Sequence, residues 1–369
     1  MINNLTIKGY RVFQQFQMND LSRINLLVGT NNSGKTSALE ALYVLATNSD
    51  PQTLWKISSG RGELRFPDPV PQRPMQQELE LNHLFNGHKI GIGTTTYITA
   101  SDSVPNRAVE LSIIEAKMED NPQLFMLASN EIADPLGVRL ALSIKIDPSR
   151  VDSIPLTPRG TIRQDSIQVF ANISANTLNN NQQTQPINTQ YVTNASLTAQ
   201  ELTASWGSIV LTDDENRVVE ALQSVDKDIE KIAATNSPIY FGVLGGFVVK
   251  MRNVSQPIPI GSLGDGVWRM LALAIALIRS RNGILLIDEI DTGLHYSVMS
   301  RMWKMINDVS RTFNIQVFAT SHSYDCIRAL ASIDESEISI HRIEPDQACS
   351  VQFSADEIKA AAEFNIEVR

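Results

Sequence analysis

Alternating apolar and polar positions open the chain. "LTIKGYRVF" and "FQM" read as short strands, and "RINLLVG" as a fully buried one that ends in a glycine turn. From Thr36 to about Ala46 the period lengthens to that of a helix, with Leu39, Leu42, Leu45 and Ala46 on one face and "NSDPQ" as the stop. Between about residues 50 and 240 the texture changes. "HKIGIGTTTYITAS", "AVELSIIEA" and "GVRLALSIKID" predict antiparallel strands, and "ANTLNNNQQTQPINTQ" predicts a polar loop. "TDDENRVVEALQSVDKDIEKI" predicts an amphipathic helix capped near Asp213 or Asp214, with Val218, Val219, Leu222, Val225 and Ile229 on its buried side.

Beyond residue 240 the pattern alternates. "PIYFGVLGGFVVKMRN" suggests two strands, "WRMLALAIALIRS" a buried helix and "GILLIDEI" a buried strand. "SVMSRMWKMINDVSRTF" then reads as an amphipathic helix, "IQVFATSHS" as a further buried strand, and the remaining residues as two strands and a helix. Strands alternating with helices imply an α/β fold with a mixed, mostly parallel core sheet. The expected organisation is a core made of residues 1–50 and 240–369, interrupted by an inserted α+β lobe at 51–239 with antiparallel strands, a polar loop and helices. Sustained heptads are absent, which excludes a long coiled-coil arm.

Composition narrows the class. With 369 residues, 43% of them hydrophobic and 19% charged, the chain has enough apolar surface for two lobes. The net charge of -9 argues against a surface built mainly to neutralise phosphates, and the mild cluster Arg139, Lys145, Arg150, Arg159 and Arg163 reads as a solvated face. Cys326 and Cys349 form no CxxC pattern and read as reduced thiols, so a cytoplasmic location is expected. No apolar run approaches a membrane span, and no histidine pair has metal-ligand spacing.

The chemistry is carried by Gly29-Thr30-Asn31-Asn32-Ser33-Gly34-Lys35-Thr36, which fits G-x-x-x-x-G-K-[ST] and is followed by Ser37. Between a buried strand and a helix, such a loop points successive backbone N–H groups at phosphate oxygens, and the helix adds its positive end. Lys35 would reach the β- and γ-phosphates of ATP, and Thr36 would place its hydroxyl on Mg²⁺. Farther along, Ile284 to Ile287 bury a strand that delivers Asp288 and Glu289 at its C-terminal end, where ligands of such sheets sit. Asp288 suits Mg²⁺. Glu289 suits the attacking water, by orienting it or by accepting its proton.

"GSLGDGVWRM" looks like a variant of the ABC-type signature, with Ser262, Gly264 and Gly266 opening a helix. It departs from the transporter form in carrying Asp265 and lacking a following glutamine. "DTGLHYS" resembles the D-loop of the same class, Asp291 matching its acidic position, and His322 in "VFATSHS" matches its switch histidine. His295 is equally a dimer-seam residue or a capping one.

Taken in order, these segments resemble the ABC-type P-loop ATPases of the SMC, RecF and OLD group, and most of all prokaryotic AAA-type ATP-binding proteins allied to OLD. The resemblance covers about residues 1–48 and 240–330. It implies an ATP-hydrolysing switch that homodimerises around ATP and Mg²⁺, with the signature of one copy covering the γ-phosphate held by the other. OLD nucleases carry a Toprim domain with an Asp-x-Asp set, whereas only 47 residues follow His322 here and none form Asp-x-Asp. The implied partner is therefore a separate effector, a Toprim-like nuclease, in a setting such as phage defence. The alternatives are a RecF/SMC-like ATP-gated clamp on DNA in repair and, behind it, a transporter ATPase subunit. Arg11 or Phe13 is expected to border the adenine.

Overall fold

A computed structural model describes residues 1–66, 76–102, 107–116, 140–146, 150–177, 185–193, 198–235, 246–333, 336–345 and 347–363. The chain begins with β1 (Ile2–Tyr10), β2 (Phe13–Met18), β3 (Ile24–Val28), α1 (Lys35–Ala46), α2 (Pro51–Gly60), β4 (Leu64–Arg65), β5 (Glu78–Glu80), β6 (Thr95–Asp102) and β7 (Arg107–Glu115). It continues through β8 (Leu140–Ile146), β9 (Arg150–Pro155), β10 (Thr161–Arg163), α3 (Gln164–Thr177), β11 (Thr189–Val192), α4 (Ala199–Trp206), α5 (Asp213–Gln223), β12 (Ile229–Thr235), β13 (Gly246–Met251) and β14 (Ile258–Pro259). The last part is α6 (Asp265–Arg279), β15 (Ile284–Ile287), α7 (Tyr296–Thr312), β16 (Gln316–Thr320), α8 (Tyr324–Ala331), β17 (Ile338–Arg342), β18 (Val351–Ser354) and α9 (Ala355–Glu363).

These elements gather into two compact units. One comprises Met1–Asp20, Thr36–Ile187 and Pro345–Ser350, the other Leu21–Lys35, Asn188–Glu344 and Val351–Arg369. In the first, an antiparallel sheet runs β2-β1-β6-β7-β8-β9, and a smaller one runs β10-β5-β4. The alternation read in β1 is real: Ile2, Leu5, Ile7 and Tyr10 are buried while Asn3 and Lys8 are exposed. Helix α2 starts where Asp50 accepts a hydrogen bond from the Gln52 N–H at 3.1 Å and Pro51 supplies a preset φ.

The hairpin, α1 and the α2–β4 segment share a buried ionic network. The Arg11 guanidinium meets Glu40 of α1 at 2.6 Å and Glu63 at 2.7 Å, and Glu40 also meets Arg61 at 2.7 Å. Arg11 is thus spent on carboxylates, and Phe13 is buried against Phe16 at 4.4 Å between ring centroids. Neither has the free face that bordering a base requires. Of the basic cluster, Lys145 pairs with Glu110 at 3.6 Å and Arg163 with Asp165 at 3.1 Å; Arg139 lies outside the described residues.

The second unit holds a sheet in the order β11-β15-β16-β3-β17-β18, parallel throughout except for β18. β3, β15 and β16 are buried at every position, as expected of strands covered on both faces. Helix α6 is buried from Val267 to Ile278 with Trp268 half-buried, and Trp303 of α7 is fully enclosed. A second antiparallel sheet, β12-β13-β14, packs Phe247 edge-on against Trp206 at 5.7 Å and Trp268 at 6.2 Å.

Three local expectations change. The helix expected to carry Ile229 stops at Gln223, and Ile229 instead opens β12, paired with β13. The helical spacing of apolar residues ran on by coincidence across "SVDKD", where the Asp226 carboxylate accepts the Asp228 N–H at 3.0 Å and turns the chain. The polar stretch 175–190 falls partly outside the described residues (178–184), but its ends are ordered elements, the last turn of α3 and the start of β11. Asn188 there donates to the carbonyls of Arg279 and Arg281 at 2.6 and 3.1 Å, closing the C-terminal end of α6. Finally, the sequence predicts an inserted lobe at 51–239 with residues 1–50 in the core. Strand pairing instead joins β1 and β2 to β6, and β11 to β15. Of the two strands read in "PIYFGVLGGFVVKMRN", the second is β13, and the first lies outside the described residues.

Candidate active site

Parallel strands β15, β16, β3 and β17 end on the same side of their sheet, and the loops leaving them carry the chemistry. The loop after β3 turns through three left-handed positions, Gly29 (φ 142°), Asn32 (φ 63°) and Gly34 (φ 103°). Gly29 passes so close to the Ile343 carbonyl that a Cβ there would collide with it, and would lie 2.9 Å from the Ser33 hydroxyl. Only glycine fits. Thr30, Asn31 and Asn32 are exposed while Ser33 is buried. Helix α1 then begins at Lys35, with no acidic residue in its first turn; Thr36 is half-buried and Ser37 buried there.

Lys35 is 6% exposed, and its ammonium donates to the carbonyls of Gly29 at 2.9 Å and Thr30 at 2.7 Å. Burial lowers its pKa, opposed by the nearby charges of Asp288 and Glu289. Among the described residues no carboxylate lies within ion-pair distance of it. A buried cation at a helix N-terminus, facing a loop of exposed backbone, fits a polyanion such as a triphosphate.

Asp288 is half-buried at the end of β15, where its Oδ1 accepts from the Thr320 hydroxyl at 2.7 Å. That same hydroxyl oxygen accepts the Glu289 N–H at 2.7 Å, so Thr320 at the end of β16 aligns both acidic residues. Glu289 has φ 50° and an exposed side chain. From behind, Arg269 of α6 donates through one nitrogen to the main-chain oxygens of Asp288 at 3.1 Å and Glu289 at 2.9 Å. Among the described residues no group of three or more His, Cys, Asp or Glu could hold a metal ion alone. Asp288 and Thr36 are hard oxygen donors of the kind Mg²⁺ takes.

His322, two residues beyond β16, is exposed at its edge. Partial burial and the Lys35 charge lower its pKa, against Glu289, Asp291 and Asp288, which favours the neutral imidazole. The signature residues lie at the other end of α6. Ser262 lies within a short 3-10 turn, Ile260–Leu263, Gly264 takes φ 92° and Gly266 lies in the first turn of the helix. Ser262 and Gly264 are exposed. A Cβ on Gly266 would sit 3.3 Å from the Gly293 carbonyl, so the 291–294 loop is packed against this helix start. Asp291 is half-buried with one carboxylate oxygen unpartnered. Among the described residues, none of 262–266 hydrogen-bonds to the phosphate loop of its own chain. His295 caps α7, accepting from the Ser297 N–H at 3.4 Å, as the capping alternative requires.

Thr320 and Arg269 were not singled out from sequence. Each lies inside a quoted motif, and Arg269 carried a usable signal: one cation among the apolar residues of a helix otherwise buried from Val267 to Ile278.

The chain is similar to several known proteins. Residues 1–130 match the family "AAA ATPase domain", and residues 142–325 match "AAA domain, putative AbiEii toxin, Type IV TA system". An "ATP/GTP phosphatase" of Helicobacter pylori is 22% identical over 90% of this chain and 88% of its own. "DNA replication and repair protein RecF" of Thioalkalivibrio sulfidiphilus is 38% identical over 53 residues, 14% of this chain and 15% of that protein. Among solved structures, an SMC head bound to the C-winged helix domain of ScpA superposes with a TM-score of 0.48 at 14% identity, covering 97% of this chain and 99% of that one. Among the described residues no helix is long and apolar enough to cross a membrane.

Proposed function

For a chain whose segments 1–130 and 142–325 match AAA ATPase family models, we propose an ATP-driven switch in which two copies close on shared nucleotide. The observation that carries this reading is Lys35: a buried cation at the start of α1, donating to the Gly29 and Thr30 carbonyls at the end of the parallel sheet where Asp288 and Glu289 also emerge. In this scheme Lys35 binds β- and γ-phosphate oxygens, and the N–H groups of the Gly29–Ser37 segment cradle the rest. Thr36 and Asp288 would hold a magnesium ion, which would supply charge neutralisation on the phosphates. Glu289 orients the water or takes its proton, and neutral His322 senses the γ-phosphate by hydrogen bonding.

Exposed Ser262 and Gly264, together with Gly266, form a second anion-binding helix start that nothing in their own chain's phosphate loop engages. Supplied by a second copy, with Asp291 at the seam, they make nucleotide a ligand with high differential affinity for the closed pair. The resemblance to OLD-allied proteins adds a separate effector, a Toprim-like nuclease in phage defence, as the recipient of that closure. The second reading is a DNA clamp, favoured by the RecF match at 38% identity but opposed by the net charge of -9.

Two variants test the scheme. Lys35→Ala loses ATP binding and turnover; unchanged hydrolysis removes the phosphate-loop assignment. Glu289→Gln slows hydrolysis and accumulates an ATP-bound dimer seen by light scattering, and a variant that stays monomeric in saturating Mg-ATP refutes the paired mechanism.

A further inference from the structure

Arg269 is the feature that simple packing does not explain. It is 5% exposed on α6, in a cluster of Val267, Met270, Leu271 and Leu273. Burial lowers its pKa, with Asp291, Glu289 and Asp288 opposing, in that order. Yet among the described residues it makes no ion pair. It donates to the carbonyls of Asp288 and Glu289, and among the described residues its Nε has no hydrogen-bond partner. Desolvating a guanidinium without a carboxylate partner is unfavourable. A side chain chosen for stability alone would be apolar here.

What the guanidinium does hold is unusual backbone. Glu289 is a non-glycine residue at φ 50°, a conformation that persists only when its surroundings over-determine it. Arg269 fixes the carbonyls that flank the Glu289 Cα, those of Asp288 and Glu289, and Thr320 fixes the Glu289 N–H. Together they prevent Glu289 from relaxing to ordinary helical or extended backbone, which would swing its carboxylate away. Arg269 also sits four residues after Asp265, in the helix whose first turn carries Gly266. The helix start that would face a partner's nucleotide is therefore rigidly joined to the group that aims Glu289.

We propose that Arg269 is a positioning residue for Glu289, transmitting engagement of the 262–266 helix start to the catalytic carboxylate through the main chain of residues 288 and 289. The proposal rests on the ATPase reading above. It also accounts for Asp291, the largest opposing charge on Arg269, whose unpartnered Oδ1 matches the unused Nε.

The test is steady-state ATP turnover, with separate binding of a fluorescent ATP analogue, for Arg269→Gln, Arg269→Lys, Glu289→Gln and the Arg269→Gln/Glu289→Gln double variant. Expected for Arg269→Gln is a fall in kcat of about 10- to 100-fold, the usual effect of removing a group that orients a functional residue. Nucleotide affinity stays within about 3-fold, and the double variant is no slower than Glu289→Gln alone. Arg269→Lys, which can still donate to one carbonyl, recovers part of the rate and serves if the Gln variant does not fold. Two results overturn the proposal: kcat unchanged in both Arg269 variants, or losses that multiply with Glu289→Gln. A wild-type protein that binds no nucleotide would instead end the ATPase reading itself.

Discussion

Acid should weaken this fold through one histidine. His341 lies in β17, beside Leu27 of β3, fully buried, with Nε2 3.0 Å from the Ser339 hydroxyl. That hydroxyl donates to Asn25 at 3.0 Å, whose amide in turn donates to the carbonyls of Ser22 and Val317, so the imidazole closes a satisfied polar ladder inside the sheet. Burial pushes its pKa from the ordinary 6.5 down to about 4. Because the folded form resists a proton that the unfolded chain accepts, the contribution is complete above about pH 6.5 and disappears as pH falls towards 4. Across the whole window it amounts to roughly 3 kcal/mol, and between pH 7 and pH 5 to about 2 kcal/mol. Guanidinium unfolding followed by the fluorescence of buried Trp303, at both pH values, measures it. His341→Gln keeps a hydrogen-bonding group but cannot titrate, so wild type should lose about 2 kcal/mol more than the variant on acidification. The buried Glu40, whose pKa is raised by burial, works in the opposite direction but equally in both proteins. A difference below about 0.5 kcal/mol, or one of opposite sign, refutes the reasoning.

Two further outcomes follow from close contacts. Glu40→Ala should destabilise by about 3 kcal/mol in denaturant unfolding, because it strips buried Arg11 of its 2.6 Å partner, and a loss under 1 kcal/mol would show the network to be dispensable. Gly29→Ala should abolish binding of a fluorescent ATP analogue by driving a methyl into the Ile343 carbonyl, while circular dichroism stays near wild type; intact binding would mean that the loop relaxes freely.

What could be read beforehand was what is local. The phosphate loop, the Asp288–Glu289 pair and the buried strands that carry them are each specified within about ten consecutive residues, and the structure places them at the same end of β3 and β15, with β16 between. Pairing across distance was not legible. The alternation in β1 says which face is buried but not that its partner is β6, some ninety residues later. In the same way, nothing in "TQYV" announces an edge strand beside β15. Ile229 went astray because a helical spacing and a strand start share one apolar residue. Arg269 and Thr320 act on main-chain atoms of other elements, so their roles emerge only once β15, β16 and α6 are brought together.

The position of β3 has a consequence for how the protein is made. Its five apolar-rich residues sit between β16 and β17, and the Asn25 side chain reaches Val317 over a separation of 292 residues. At a synthesis rate of about 5–20 residues per second, "INLLV" leaves the ribosome roughly 15–60 s before either neighbour exists. During that interval it is a sticky ribbon with two bare edges, and the nucleotide loop attached to it has no floor. Holding that ribbon apart from other nascent chains is then a requirement of biogenesis, set by topology before any ATP is met.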